Sequence, residues 1–210
     1  MDYKELIKTF NGKDFENNVN LHIHTTCSDG EATPDEILTQ AKNKGYHYIA
    51  ICDHNTVDAH KIKEISQENM IIPAVEFDCW YKTTFFHLLG YGIDVNCDEL
   101  KPFLANSKKE TELDIVRIFA KRDVPKLIEA IHNAGGIAVL AHPACCWCVD
   151  LDKFVKTLMK FGLDGLECYY PYDRHRGIIK FHKKATVEKI ADKYNLIKTG
   201  GTDCHTKDLH

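Results

Sequence analysis

The sequence predicts an α/β fold, an incomplete or distorted barrel related to the (β/α)8 type, and three observations predict it. Seven short apolar runs recur along the 210 residues, each of a length suited to a buried strand. Helical patterns lie between them, several closed by glycine. The spacing leaves about 30 residues per unit, the usual size of a strand–helix–strand element, which implies parallel strands joined by right-handed crossovers.

The first candidate strand is 19–24. Thr33-Pro34-Asp35-Glu36 then supplies a helix cap, a proline at the first helical position and two acids in the first turn, and Ile37, Leu38 and Ala41 carry the helix to Gly45. Strands follow at 46–52, 70–77 and 85–91. Residues 96–123 are polar and mixed in charge, and Leu113, Val116, Ile118 and Phe119 suggest a helix lying over the barrel. A helix from Val124 to Ile131 ends at Gly135-Gly136 before a strand at 137–141. Another from Leu151 to Phe161 ends at Gly162 before a strand at 165–169. A last helix, Lys180 to Tyr194, precedes the strand 196–201. Only five residues follow His205, so no closing helix is expected for the last seam.

No repeat, low-complexity tract or linker interrupts residues 1–210, so a single domain is expected. With 44% hydrophobic and 28% charged residues, 12 Gly and 6 Pro, disordered and fibrous classes are excluded. No apolar run approaches the ~20 residues that span a bilayer, and the first eleven residues lack a basic-then-apolar pattern, so a cytoplasmic protein without membrane contact is expected. A net charge of −4 argues against coating duplex DNA and leaves small phosphorylated ligands open. Nine cysteines, irregularly spaced, read as reduced thiols.

Twelve histidines are the anomaly. His22 and His24 share one face of a strand because side chains alternate with period two, and Asp29 follows in the loop. Such a pair alone fits a half-buried strand with satisfied imidazoles, but the later runs repeat the pattern. Cys52-Asp53-His54-Asn55, Val75-Glu76-Phe77-Asp78, His87, Ala141-His142-Pro143 and Gly201-Thr202-Asp203-Cys204-His205 all fall at or near strand ends. In a parallel barrel those ends open on one face. Imidazoles and carboxylates suit Zn²⁺, Mn²⁺ or Fe²⁺ at about four to six ligands per ion. The set His22, His24, Asp29, His54, Glu76, His87, His142, Asp203 and His205 is too large for one ion and implies two or three sharing carboxylates.

With their surrounding residues, from His22-Ile23-His24-Thr25-Thr26-Cys27-Ser28-Asp29-Gly30 through Asp53-His54-Asn55 and His87-Leu88-Leu89-Gly90-Tyr91 to Gly201-Thr202-Asp203-Cys204-His205, these motifs resemble the polymerase and histidinol phosphatase (PHP) family of metal-dependent phosphoesterases, over nearly the whole chain. The resemblance implies a distorted (β/α)7 barrel and a trinuclear site. His22, His24, Glu76 and Asp203 would hold the first metal and Asp29, His54 and His205 the second. Glu76 would bridge to a third, completed by His87 and His142. Asp29 stands where some members have a histidine. The implied reaction is hydrolysis of a phosphate ester by a metal-activated water, with the proton handled by Asp203 or His205.

The nearest members act on nucleoside phosphates and short oligonucleotides, but only residues 93–135 separate Gly92 from Gly136. Most of the helical insertion of larger relatives is therefore missing, which favours a small substrate. His175 is a candidate acid or phosphate contact, and Arg174 and Arg176 are candidate substrate contacts within a basic stretch, Arg174 to Lys189. Asp53 is expected to orient a liganding imidazole. Cys145 and Cys148 read as residues of the pocket rim, and His47, His60, His132, His182 and His210 as surface or packing residues. Two rivals stand: an amidohydrolase-type C–N hydrolase, which often needs a carboxylated lysine that no strand end supplies, and a metal-stabilised module without catalysis. Oligomeric state is open.

Overall fold

The computed structural model describes residues 2–172 and 181–210. Seven strands, β1 (Val19–Ile23), β2 (Tyr48–Ile51), β3 (Ile71–Tyr81), β4 (Thr84–Tyr91), β5 (Ile137–Leu140), β6 (Gly165–Tyr169) and β7 (Ile197–Gly200), pair in chain order in one sheet. The sheet curls on itself: Cys204, just past β7, bridges Ile23, its carbonyl accepts from His24 N–H at 2.9 Å, and its own N–H donates to the His22 carbonyl at 3.3 Å. Main-chain pairing thus closes the seam for which the sequence offered no helix.

The parallel scheme holds for β1–β2–β3 and for β5–β6–β7 but fails at β4, which runs antiparallel to both neighbours. A parallel crossover takes a dozen or more residues, and residues 78–84 are too few for one. Instead β3 runs on to Tyr81 and turns at Lys82, whose φ of 55° is left-handed. The beginning of β4, not its end, therefore lies at the barrel mouth, with His87 opposite Asp78.

Two short helices that the sequence did not announce, α1 (Tyr3–Thr9) and α2 (Gly12–Asn17), are capped by Asp2 and Asn11. Ile7 of α1 packs with Leu21, Ala50, Ile72, Leu89, Tyr91 and Val139, and Tyr91 Oη donates across the barrel to the Leu21 carbonyl at 2.8 Å. The helix α3 (Pro34–Lys44) begins as its sequence indicates. Thr33 accepts from the Glu36 N–H, the Glu36 carboxylate accepts from the Thr33 N–H, and Gly45 ends it in the left-handed region. Single turns follow, α4 (Lys63–Ser66), α5 (Lys109–Glu112) and α6 (Asp114–Arg117). Then α7 (Val124–Asn133), α8 (Leu151–Met159) and α9 (Lys184–Tyr194) pack Ile128, Ile131, Leu158 and Val187 against the sheet. No helix among the described residues is long and apolar enough to cross a membrane.

The segment 96–123 overturns its expected orientation. Its apolar side chains Leu113, Ile118 and Phe119 are exposed, Phe119 at 76%, whereas Arg117 is 7% exposed and points inward. The physical reason lies beneath it, where a guanidinium meets carboxylates rather than hydrocarbon.

Gly201 has a steric role, because a Cβ there would lie 2.4 Å from His22 N and 2.5 Å from His22 Cβ. Gly201→Ala should force the end of β7 off β1, lowering stability by about 1–3 kcal/mol and displacing His22. Thermal denaturation together with metal content per chain checks this; unchanged values for both would contradict it.

Candidate metal centre

Alternation along β1 sends His22 and just beyond it His24 to the same side, where they meet Glu76 from β3 and Asp203 from the turn after β7. His22 Nε2 lies 3.2 Å from Glu76 Oε2 and 3.4 Å from Asp203 Oδ1; His24 Nε2 lies 3.2 and 3.1 Å from the same two oxygens. On the other side of Glu76, Oε1 is 3.1 Å from His87 Nδ1 and 3.2 Å from His142 Nε2, and those two nitrogens are 3.2 Å apart. A third group is looser. Asp29 stands 3.3 Å from His205 Nε2, 3.6 Å from His24 Nδ1 and 3.9 Å from His54 Nε2. Seven of the nine residues singled out in the sequence line one cleft of about 400 Å³, and the fully buried His22 and His24 join the same cluster through Glu76 and Asp203.

These separations fit cations better than hydrogen bonds. His22 Nε2, both nitrogens of His24 and Glu76 Oε2 are buried without a hydrogen-bond partner among the described residues. Ligand atoms at about 2.0–2.2 Å from an ion lie about 3.3–3.6 Å apart in a tetrahedron and about 2.8–3.1 Å apart in an octahedron. The 3.1–3.4 Å edges of the two tight groups run from the long end of the octahedral range into the tetrahedral one. Imidazole and carboxylate donors suit Zn²⁺, Mn²⁺ or Fe²⁺.

The backbone is shaped to aim these groups. His142 (φ 27°) and Asp203 (φ 51°) adopt left-handed conformations directly after β5 and β7, a conformation that costs on the order of 1–3 kcal/mol for a residue other than glycine. Asp53 does not orient an imidazole, contrary to expectation. Its carboxylate accepts from Thr25 N–H, Thr25 Oγ1 and Ser28 Oγ, each at 2.7 Å, and so pins the loop that carries Asp29.

The orienting role belongs to two acids absent from the sequence-derived set. Glu167 on β6 is fully buried, with Oε1 2.8 Å from His22 Nδ1 and Oε2 accepting the His142 N–H at 2.7 Å. Asp78 Oδ1 lies 3.1 Å from His87 Nε2 and 3.5 Å from His54 Nδ1. Glu167 thus holds the far nitrogen of His22, while Asp78 faces the far nitrogens of His87 and His54 by charge, its Oδ1 making no hydrogen bond among the described residues. Both carried a signal: Asp78 is two residues from Glu76 on one strand face, and Glu167 is a lone acid inside an apolar run. Arg117 carried none, since only folding turns it inward, with Nη1 2.6 Å from Asp29 Oδ2.

Electrostatics follow from this crowding. Burial opposes ionisation of Glu76, Asp203, Asp29 and Asp78, but the surrounding imidazoles outweigh it and hold all four carboxyls below their usual range. Burial likewise opposes charge on His24 and His87, yet the acids, Asp203 and Glu76 for one and Glu76 and Asp78 for the other, raise both to about 10. His54 is the exception, because burial dominates and takes it down to about 3.

Among the other residues weighed, His47, His132 and His210 are exposed and His182 is half-buried. His60 is buried, with Nε2 2.9 Å from the Ile51 carbonyl. Cys145 and Cys146 are buried and Cys148 partly so, none of them in a disulfide among the described residues. Arg174, His175 and Arg176 lie outside the described residues.

Because the surrounding acids raise His22, His24 and His87 and favour their protonated forms without cations, loading must displace those protons. Calorimetric metal titration in buffers of differing ionisation heat should show about two to three protons released near pH 7, and affinity should fall as pH falls, since acid favours the competing protonated rings. Heats independent of buffer would contradict this. Glu167→Gln should weaken metal binding about 10–100-fold while far-ultraviolet circular dichroism stays unchanged; an unaltered titration midpoint would remove its orienting role.

Comparison with known proteins shows the family. A 5′–3′ exoribonuclease from Haemophilus influenzae is 24% identical over 255 aligned positions, covering 88% of this chain and 89% of the relative. A phosphoribosyl 1,2-cyclic phosphate 1,2-diphosphodiesterase from Eggerthella lenta is 22% identical over 257 positions, covering 89% and 94%. A solved structure of an amidohydrolase from Chromobacterium violaceum superposes with a TM-score of 0.73 at 17% identity, over 91% of this chain and 89% of that one, a likeness of fold. The PHP domain model matches residues 20–197, and the chain belongs to the PHP domain family.

Proposed function

We propose that this PHP-domain chain is a phosphoric ester hydrolase acting on a nucleotide-like phosphate ester at a centre of two to three divalent cations. The carrying observation is the division of Glu76, whose two oxygens face separate imidazole groups at 3.1–3.4 Å, the arrangement of a carboxylate shared between ions. In this reading His22, His24, Glu76 and Asp203 hold one cation, Asp29, His54 and His205 another, and Glu76, His87 and His142 the third. Such cations would supply charge to neutralise phosphate oxygens and lower the pKa of a water at neutral pH.

The chain's own residues do the rest. Arg117 lines the cleft and is the guanidinium placed to meet a phosphate oxygen. Asp203 turns Oδ1 toward the imidazoles and accepts from Tyr170 Oη on Oδ2 at 2.8 Å, so proton transfer is assigned to Asp203 Oδ2, because His205, a ligand through Nε2 in this reading, has its Nδ1 on the Asp203 carbonyl at 3.0 Å. His175 keeps its proposed acid or phosphate-contact role, and Arg174 and Arg176 theirs as substrate contacts, on sequence alone. The named reactions of the two relatives, an exoribonuclease and a cyclic phosphodiesterase, both break phosphodiester bonds, which supports this substrate class. The amide-cleaving alternative is disfavoured because the cleft lining has no lysine among the described residues.

Reconstitution with Mn²⁺, Zn²⁺ or Fe²⁺, followed by assay on aryl phosphates, nucleoside bisphosphates and short oligonucleotides, tests the proposal. Turnover is expected on at least one class, and Glu76→Gln should lower kcat by at least about 10³-fold, a loss of about 4 kcal/mol in transition-state stabilisation. Metal content per chain should fall from two or three ions to one or none. Inertness of the loaded protein on every class would defeat the reading.

A further inference from the structure

We propose that the part of the β3–β4 hairpin projecting beyond the barrel, together with Phe119, is a stacking site for a base of a single-stranded oligonucleotide whose phosphate lies at the metal centre. The inference deepens the phosphoesterase reading and rests on it for the direction of the strand. Register carries the first step. Asp78 pairs with His87 and Trp80 with Phe85, so the sheet face that bears Glu76, Asp78 and His87 at the metal centre bears Trp80 and Phe85 further out. The β2 ladder on β3 ends at Pro73 apart from one bridge at Glu76, and β5 pairs with β4 only from Leu88, so the outer hairpin stands clear of both neighbours.

The rings form a continuous surface. Phe85 lies 5.2 Å from His87 and 5.3 Å from Trp80, centroid to centroid. Trp80 is four residues beyond Glu76, about 13 Å along an extended strand, a reach of one or two nucleotides. Trp80 Nε1–H donates to the Ile118 carbonyl at 2.6 Å, which fixes the indole. The same turn that sends Arg117 into the metal cleft leaves Ile118 and Phe119 exposed beside it.

Charge selects the occupant. The groove, about 550 Å³, is lined by Trp80, Lys82, Ile118, Phe119, Lys121 and Arg122. Arg122 is held by the carbonyls of Phe103 and Asp78 at 2.9 and 2.7 Å rather than by a carboxylate, so its charge is not cancelled there. Among the described residues three cations and no acid line this groove, in a chain of net charge −4. Aromatic faces interleaved with cations suit stacked bases joined by phosphates; an apolar protein segment would have no use for the cations. The short 93–135 connection, which by itself favours a small substrate, thus still offers a grip on a few nucleotides.

The test reads Trp80 directly. The chain has two tryptophans, and Trp147, at 65% exposed, can be replaced: Trp147→Phe leaves Trp80 as sole reporter. Titration of the metal-loaded protein with a five-nucleotide oligoadenylate joined by phosphorothioates, which resist turnover, should quench its fluorescence saturably. The midpoint should rise about tenfold in Phe119→Ala or Lys121→Glu and rise with salt. Both substitutions are at exposed positions, so folding is retained. Inorganic phosphate and an abasic strand of the same length should not quench. Absence of saturable quenching, equal quenching by the abasic strand, or indifference to both substitutions would overturn the proposal, as would an apolar peptide competing equally well. Quenching without hydrolysis of any phosphate ester would sink the hydrolase reading and leave this site standing; hydrolysis without quenching would do the reverse.

Discussion

Five carboxylates, from Asp29, Glu76, Asp78, Glu167 and Asp203, crowd one end of the barrel, and among the described residues Arg117 is the cationic side chain paired with them apart from the imidazoles. Unbalanced charge in a poorly hydrated site costs several kcal/mol per group. Either the imidazoles carry protons or divalent cations take their place; the acids around His24 and His87 push both upward and so favour the first alternative without metal. The rest of the molecule reads as a frame that holds this charge together. The barrel closes through Cys204 beside His22 and His24, the 25–30 loop hangs from Asp53, and α6 sends its one cation inward while leaving Ile115 exposed.

Reversal of β4 has consequences for chemistry as well as topology. An all-parallel barrel would bring only strand ends to the mouth. The hairpin instead runs past the rim, so His87 enters from the start of its strand, opposite Asp78, and completes the group around Glu76 Oε1. It also extends one continuous sheet face from metal ligands to aromatic rings. A site built on two hydrogen-bonded strands is more rigid than one built on loops, which suits a carboxylate that must face two sets of imidazoles at once.

Much of the centre was legible because the first donors obey local rules. His22 and His24 are two apart on a strand, Glu76 and His142 stand at or next to the ends of apolar runs, and the glycine-stopped helices locate those ends. Seven strands and the helices α3, α7, α8 and α9 were readable for the same reason, through periodicity and caps. The supporting acids were harder to see. Glu167 inside Gly-Leu-Glu-Cys-Tyr and Asp78 beyond Glu76 become partners of His22 and His87 only across strands 145 and 9 residues away in the chain, and no local period encodes that. Asp53 was mistaken because a carboxylate beside a histidine suggests pairing, whereas its oxygens meet three donors from another loop.

The sequence by itself determined which residue types could bind cations, the order of strands and the capped helices, because these depend on composition, alternation and turn chemistry within a few residues. Tertiary structure decided the direction of β4, the inward turn of Arg117, the division of Glu76 between two imidazole groups and the closure of the barrel at Cys204. Each of these depends on where distant segments meet, and on a charge balance that exists only after they have met.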